Sequence, residues 1–247
     1  MRKTLIICRR ELAALVTGPH AAVLGAVFLA LTGYFFYSDL ALFVLVGGAN
    51  QAMGLWRYMF LDFRLVALLV LPLLTMRLFA EERKAGTLEL LWTYPVRDLE
   101  IIVGKFVACL LVVLAMLAAT AVHPLMLATL YPVSPGPLVA GYLGLTLLAA
   151  AFVACGLFIS ALTESQLVAG SATYGVLLFF WVITWNEAAV SEVTLHLLAP
   201  LSLFDRFYSF AAGAVDTRNS VYLVLFTTTC LVFTFFALDT RRWRGLR

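Results

Sequence analysis

Six apolar runs, each long enough to cross a bilayer as a helix, constrain this chain more than any other feature. The hydrocarbon core demands roughly 20 apolar residues per helical crossing, and a helix is favoured because it satisfies its backbone polar groups internally. The runs cover about residues 20–37, 63–79, 107–130, 138–162, 167–185 and 221–238. Together they use roughly half the chain, and no remaining loop is large enough for a folded soluble domain. The composition leads the same way, with 63% hydrophobic and 13% charged residues, against about 45–50% and 25% in soluble domains. The expectation is an all-α integral membrane fold, one domain over residues 1–247, whose energy source resides in another polypeptide.

Between the runs the punctuation is uneven. Residues 1–17 carry Leu5, Cys8, Leu12, Leu15 and Val16 on one helical stripe, with Lys3 and Arg10 pointing away, which predicts an interfacial elbow helix. Gly18-Pro19 breaks it. Arg9, Arg10 and Glu11 interrupt the early apolar run and no small-residue cleavage site follows, so the segment reads as retained. Residues 38–61 contain an apolar stretch too short to span, then Gly47-Gly48-Ala49-Asn50-Gln51, and read as an outside loop with an interfacial turn. Pro72 predicts a kink in the second crossing. Residues 131–137, rich in proline, read as an uncharged hairpin. With six crossings, thirteen of the seventeen Lys and Arg fall on the side of the termini, which predicts that both termini are cytoplasmic. The net charge of +3 is small and does not suggest a nucleic-acid partner. Cys8, Cys109, Cys155 and Cys230 form no CxxC pair and read as packing residues, so no metal site is expected.

The richest segment, residues 77–105, lies between the second and third crossings. Leu88, Leu91 and Trp92 stand at i, i+3, i+4, so a short helix opened by Gly86-Thr87 and stopped by Pro95 would present one apolar face. Such a face needs a partner groove or the membrane surface to cover it. Charges cluster beside it, at Glu81, Glu82, Arg83, Lys84 and Glu89. A phosphate-binding loop is absent from the sequence: the only Gly-Lys pair, Gly104-Lys105, has Leu99 where the first glycine belongs and Phe106 where Ser or Thr should follow.

The run from Glu81-Glu82-Arg83 through Gly86-Thr87-Leu88-Glu89-Leu90-Leu91, followed by Pro95-Val96 and Gly104-Lys105-Phe106, resembles the cytoplasmic loop of type-2 ABC exporter permeases. It is most similar to the subgroup of gliding-motility permeases and those linked to multicopper-enzyme maturation. The resemblance extends to residues 198–207, Gly213, residues 215–218 and Val221-Tyr222, although Leu203 stands where that subgroup often has His and Asn219 where it often has an acid. It implies a multi-pass protein of the bacterial inner membrane whose loop carries a coupling helix for an ABC ATPase subunit. On that reading Glu81, Glu82, Arg83, Lys84 and Glu89 orient the ATPase, Gly86, Thr87 and Pro95 shape the helix, and Leu88, Leu91 and Trp92 make the apolar contact. It further implies a second permease subunit, identical or related, and ATP with magnesium held by the ATPase and no cofactor in this chain. It leaves room for a periplasmic or accessory membrane protein. The task expected is export or mechanical work driven by ATP.

Residues 186–219, between the fifth and sixth crossings, are too long for a turn. Their apolar pieces, Leu195 to Pro200 and Phe204 to Ala212, are too short to span. In the family such pieces form short re-entrant outer helices. Pro200, Phe204, Asp205, Arg206 and Phe207 are the candidate outer gate, with an interfacial loop as the competing reading. His123-Pro124 lies deep in the third crossing; there the imidazole serves either the carbonyl that proline frees or a substrate. An intramembrane enzyme finds little support, since the crossing of His123, residues 107–130, holds no acid. A non-transporting membrane anchor or assembly protein is the alternative function.

Overall fold

A computed structural model describes residues 2–45, 52–86, 97–129, 135–182 and 202–244. Every regular element within them is a helix: α1 (Arg2–Thr17), α2 (Pro19–Leu45), α3 (Ala52–Thr75), α4 (Ala80–Lys84), α5 (Asp98–Ala119), α6 (Val122–Ala128), α7 (Pro135–Leu162), α8 (Gln166–Val182), α9 (Leu203–Ala211) and α10 (Thr217–Arg244). Among the described residues, five stretches are long and apolar enough to cross a membrane: Pro19–Leu45, Gly54–Lys84, Asp98–Ala128, Pro135–Leu162 and Thr217–Thr240. The described part of the expected fifth crossing, α8, is a 17-residue apolar helix, and residues 183–185 of that crossing lie outside the described residues.

Helix α7 is the axis of the bundle, and α3, α5, α8, α9 and α10 pack around it. Apolar burial alone does not bring helices together in lipid, so small residues that allow close backbone approach carry much of the packing. On α7, a Cβ at Gly141 would fall 2.1 Å from Phe60 Cε2, and one at Gly156 would fall 2.1 Å from Thr75 Oγ1. Both glycines therefore seat side chains of α3. By contrast α2 and α10 keep wide exposed apolar faces, among them Val23, Tyr34, Leu225 and Phe236, as helices at the rim of a membrane bundle do.

Several boundaries differ from those the sequence suggests: α7 already begins at Pro135, inside the expected hairpin, α10 runs from Thr217 to Arg244 rather than from 221 to 238, and three others shift further. Helix α2 runs past Tyr37 to Leu45, because one carboxylate, Asp39, does not end a helix when no proline or glycine pair follows before Gly47. Helix α3 begins at Ala52 rather than Phe63, so 52–61 is helix and not outside loop. Its cations are accommodated by aromatic rings, with the Arg57 guanidinium 5.5 Å from the Tyr58 ring centre and 5.6 Å from that of Tyr208. The third crossing starts at Asp98, where the Glu100 carboxylate accepts the Arg97 N–H at 3.1 Å. It then breaks at Thr120 and Ala121, and α6 resumes with Pro124 in its first turn.

Candidate functional site

The described charged residues between the second and third crossings sit at one end of the bundle, with α1, the α3–α4 corner, the first turns of α5 and the α7–α8 turn. We refer to this as the basic end. Its corner is fastened by one hydroxyl. Ser160 Oγ, on α7, accepts the Phe79 and Ala80 N–H groups, each at 3.0 Å, and donates to Met76 O at 3.1 Å. A serine hydroxyl has one proton to donate and two lone pairs to accept with, so this one is fully used. It caps the first turn of α4, whose amides have no intrahelical acceptor, and ties α3 and α4 to the axis helix.

A buried ammonium completes the fastening. Lys105, on α5, is 1% exposed, and its Nζ stands 2.9 Å from Glu82 Oε1 on α4 and 3.1 Å from Glu11 Oε2 on α1. The ammonium also lies 5.3 Å from the Phe79 ring centre. A buried charge is tolerable only when it is paired and hydrogen-bonded, and here the pairing fastens three helices at one point. The residue before it makes room: a Cβ at Gly104 would sit 2.8 Å from Ile7 Cγ2, so glycine lets α1 lie directly on α5. Arg83 extends the network to the α7–α8 turn, with Nη2 2.6 Å from Glu164 Oε1 and Nη1 donating to Ala161 O at 3.2 Å.

The packed face of α1 is consequently not the stripe read from sequence. Ile7, Leu12 and Leu15 pack against the core, with Glu11 drawn in beside them by Lys105. Leu5 and Val16 stay exposed, as does Ile6. The packed face turns toward Glu11, and the leftover apolar residues suit a bilayer surface.

Of the sequence-derived docking residues, Glu82 and Arg83 have partners within the chain. Glu81 is exposed and pairs with Arg77 at 2.9 Å, and Lys84 and Gly86 are exposed. Gly86, with φ of 67°, closes α4 in the left-handed region that glycine enters without strain. Thr87, Leu88, Glu89, Leu91, Trp92 and Pro95 lie outside the described residues. The helices on either side of segment 87–96 are described. Glu82 of α4 and Lys105 of α5 join them across the basic end.

The opposite end carries α9. Ser202 caps it by accepting the Asp205 N–H at 3.2 Å, and Gly213, with φ of 86°, turns the chain out of it against Pro137. Phe204 and Phe207 are buried. A Cβ at Gly144 would lie 2.4 Å from Phe210 Cβ, so α9 presses closely on the axis helix. Arg64 donates to Phe204 O at 3.0 Å, and Arg206 donates to Asn219 Oδ1 at 3.0 Å while its guanidinium lies 5.2 Å from the Tyr222 ring centre. Asp205 is exposed, and Pro200 lies outside the described residues. The candidate gate residues Phe204, Arg206 and Phe207 thus bind α9 to its own bundle.

His123 serves a local bond. Its Nδ1 is 2.8 Å from Thr120 O, the carbonyl four residues before Pro124 that proline leaves without its helical N–H. A carbonyl can only accept, so Nδ1 carries the proton. The ring rests beside Phe36 and Phe63.

Sequence reasoning did not find Glu11, Ser160 or Glu164 as parts of this arrangement, and it met Lys105 only as a failed phosphate-binding motif and as part of a resemblance. The family model described as ABC-2 family transporter protein matches residues 5–243. No curated protein matches the chain. Since the match runs over nearly all of the sequence, the chain belongs to the ABC-2 transporter family.

Proposed function

From its place in the ABC-2 family as a membrane permease subunit of an ABC transporter, we propose that the chain couples ATP hydrolysis by a separate ATPase subunit to export or mechanical work across the membrane. In this reading the basic end faces the cytoplasm, as its Lys and Arg content favours. Segment 87–96 meets the ATPase there, with Leu88, Leu91 and Trp92 as the apolar contact, Glu81, Lys84 and Glu89 as orienting charges, and Gly86, Thr87 and Pro95 shaping the turn. ATP and magnesium belong to the partner. A second permease subunit, identical or related, completes the pathway in the bacterial inner membrane, and an accessory or periplasmic protein joins where the cargo requires one.

The observation that carries this reading is the fastening at the basic end. A loop that receives force is useful only if its ends are fixed to the helices that must tilt. Here the buried Lys105 joins Glu82 at one end of the segment to α5 at the other and to Glu11 on α1, while Ser160 holds the same corner to α7. Glu82 and Arg83, assigned from sequence to steering the ATPase, act instead as positioning residues that aim the segment. Alternating access then follows if ATP binding favours one tilt of these helices over the other. At the far end α9 caps the pathway, and Asp205, with Phe204, Arg206 and Phe207 behind it, forms the outer gate against the second subunit.

The test is the permease purified with its ATPase. Leu91→Asp places a charge in the apolar contact and is expected to abolish co-purification and stimulated ATP turnover. Unchanged association and unchanged stimulation would defeat the assignment.

A further inference from the structure

A cavity of about 450 Å³ opens at the basic end between α1, the start of α2 and the end of α3. Its polar wall holds three cations, Arg10, Arg77 and Lys105, and three carboxylates, Glu11, Glu81 and Glu82. Its other wall is apolar, with Leu15, Leu24 and Leu74. A second cavity of about 400 Å³ borders it across Pro19, His20, Leu24 and Leu73 and is lined further by Val23 and Met76. The two adjoin through these four shared lining residues, the space being charged at the level of α1 and apolar along the flank of α2 and α3, and each is within the usual size range of ligand pockets.

We propose that this space holds one phospholipid with a zwitterionic head bearing a primary ammonium, of the phosphatidylethanolamine class. The polar wall is balanced in sign, so a singly charged anionic head would meet as many carboxylates as cations, whereas a zwitterion meets a complement at both of its ends. Its phosphate belongs beside Arg10, which is exposed and takes part in no ion pair among the described residues, and beside Arg77, whose Nε and Nη2 hold Glu81 at 2.9 Å each. The first turn of α2 adds the positive end of a helix dipole on the same side. The ammonium belongs against the carboxylates of Glu11 and Glu81, where its N–H groups donate charge-assisted hydrogen bonds. A choline head, with no N–H, cannot make them. One acyl chain follows Pro19, Val23 and Met76 into the bilayer. The exposed Leu5, Ile6 and Val16 of α1 place this wall at the membrane surface, where such a lipid is at hand. The inference requires no ATPase and holds whichever side of the membrane the basic end faces.

The test uses the full-length chain alone, in detergent, equilibrated with equimolar dioleoyl-phosphatidylethanolamine, dioleoyl-phosphatidylcholine and dioleoyl-phosphatidylglycerol, and reads retained lipid by native mass spectrometry. The expected result is one retained phosphatidylethanolamine, favoured over phosphatidylcholine by about tenfold, as loss of charge-assisted hydrogen bonds implies. Ala14→Trp, at an exposed position on the cavity wall, is expected to remove it without lowering the melting temperature. Arg10→Ala is expected to weaken it, and Arg218→Ala, at the opposite end, to leave it unchanged. Equal retention of the three lipids, preference for phosphatidylglycerol, or retention undiminished in both Ala14→Trp and Arg10→Ala would overturn the proposal.

Discussion

Replacing Lys105 by methionine keeps the length of the side chain and removes its charge, and the consequence can be worked from the structure. The Nζ sits 2.9 and 3.1 Å from two carboxylates whose side chains are only 17% and 14% exposed. Breaking a buried ion pair by removing one partner costs about 3–5 kcal/mol, because the remaining charge is left uncompensated. Since Glu11 and Glu82 retain some contact with solvent, the lower bound applies, about 3 kcal/mol. For a chain of this size that corresponds to a fall in melting temperature of about 6–12 °C. The assay is thermal unfolding in detergent of Lys105→Met, of Glu11→Gln, and of the triple variant that also carries Glu82→Gln. Glu11→Gln alone should cost less, about 1 kcal/mol, because Lys105 keeps Glu82. The triple variant removes every stranded charge and should regain most of the lost stability. It should not regain stimulated ATP turnover, since no charge then fastens α4 to α5. A melting temperature for Lys105→Met within about 2 °C of the unaltered chain, or a triple variant no more stable than the single one, would refute the account of this corner.

Two further outcomes follow from the same geometry. Ser160→Ala leaves the Phe79 and Ala80 amides without their acceptor and should cost about 2–4 kcal/mol, read as a lower melting temperature together with faster hydrogen exchange at residues 79–84. His123→Leu leaves Thr120 O with the His123 backbone N–H at 3.0 Å, so it should cost no more than about 1 kcal/mol and leave transport intact; a variant that is stable but transports nothing would assign His123 to cargo instead.

What could be read from the sequence was local. The Pro124 carbonyl partner was legible because proline, His123 and Thr120 lie within one turn, and the apolar face at residues 88–92 was legible from spacing alone. The clustering of charge between the second and third crossings was equally plain. The fastening was not, because Glu11 and Lys105 are far apart in the chain and nothing in either neighbourhood announces the other. For the same reason the face of α1 was misplaced: hydrophobic spacing counts apolar residues alone and gives Glu11 no place on the packed stripe, whereas its ion pair with Lys105 brings it in. The length of α2 was underestimated because the apolar stretch after Tyr37 is too short to span by itself, whereas residues 38–45 continue the helix that begins at Pro19. Burial of Phe207 and Phe210 against α7 depended on Gly144, whose role appears only once α9 is in place.

The central claim is that the segment between α4 and α5 is where the ATPase acts. The direct measurement is site-specific photocrosslinking in membranes, with a photoreactive residue replacing Leu91 or Trp92 in one sample and Tyr208, exposed on α9 at the other end of the bundle, in another. Adducts to the ATPase subunit from positions 91 and 92, changing in yield when ATP is added, and none from position 208, are the predicted result. Adducts absent at 91 and 92 in a complex that still hydrolyses ATP under the control of this chain would contradict it.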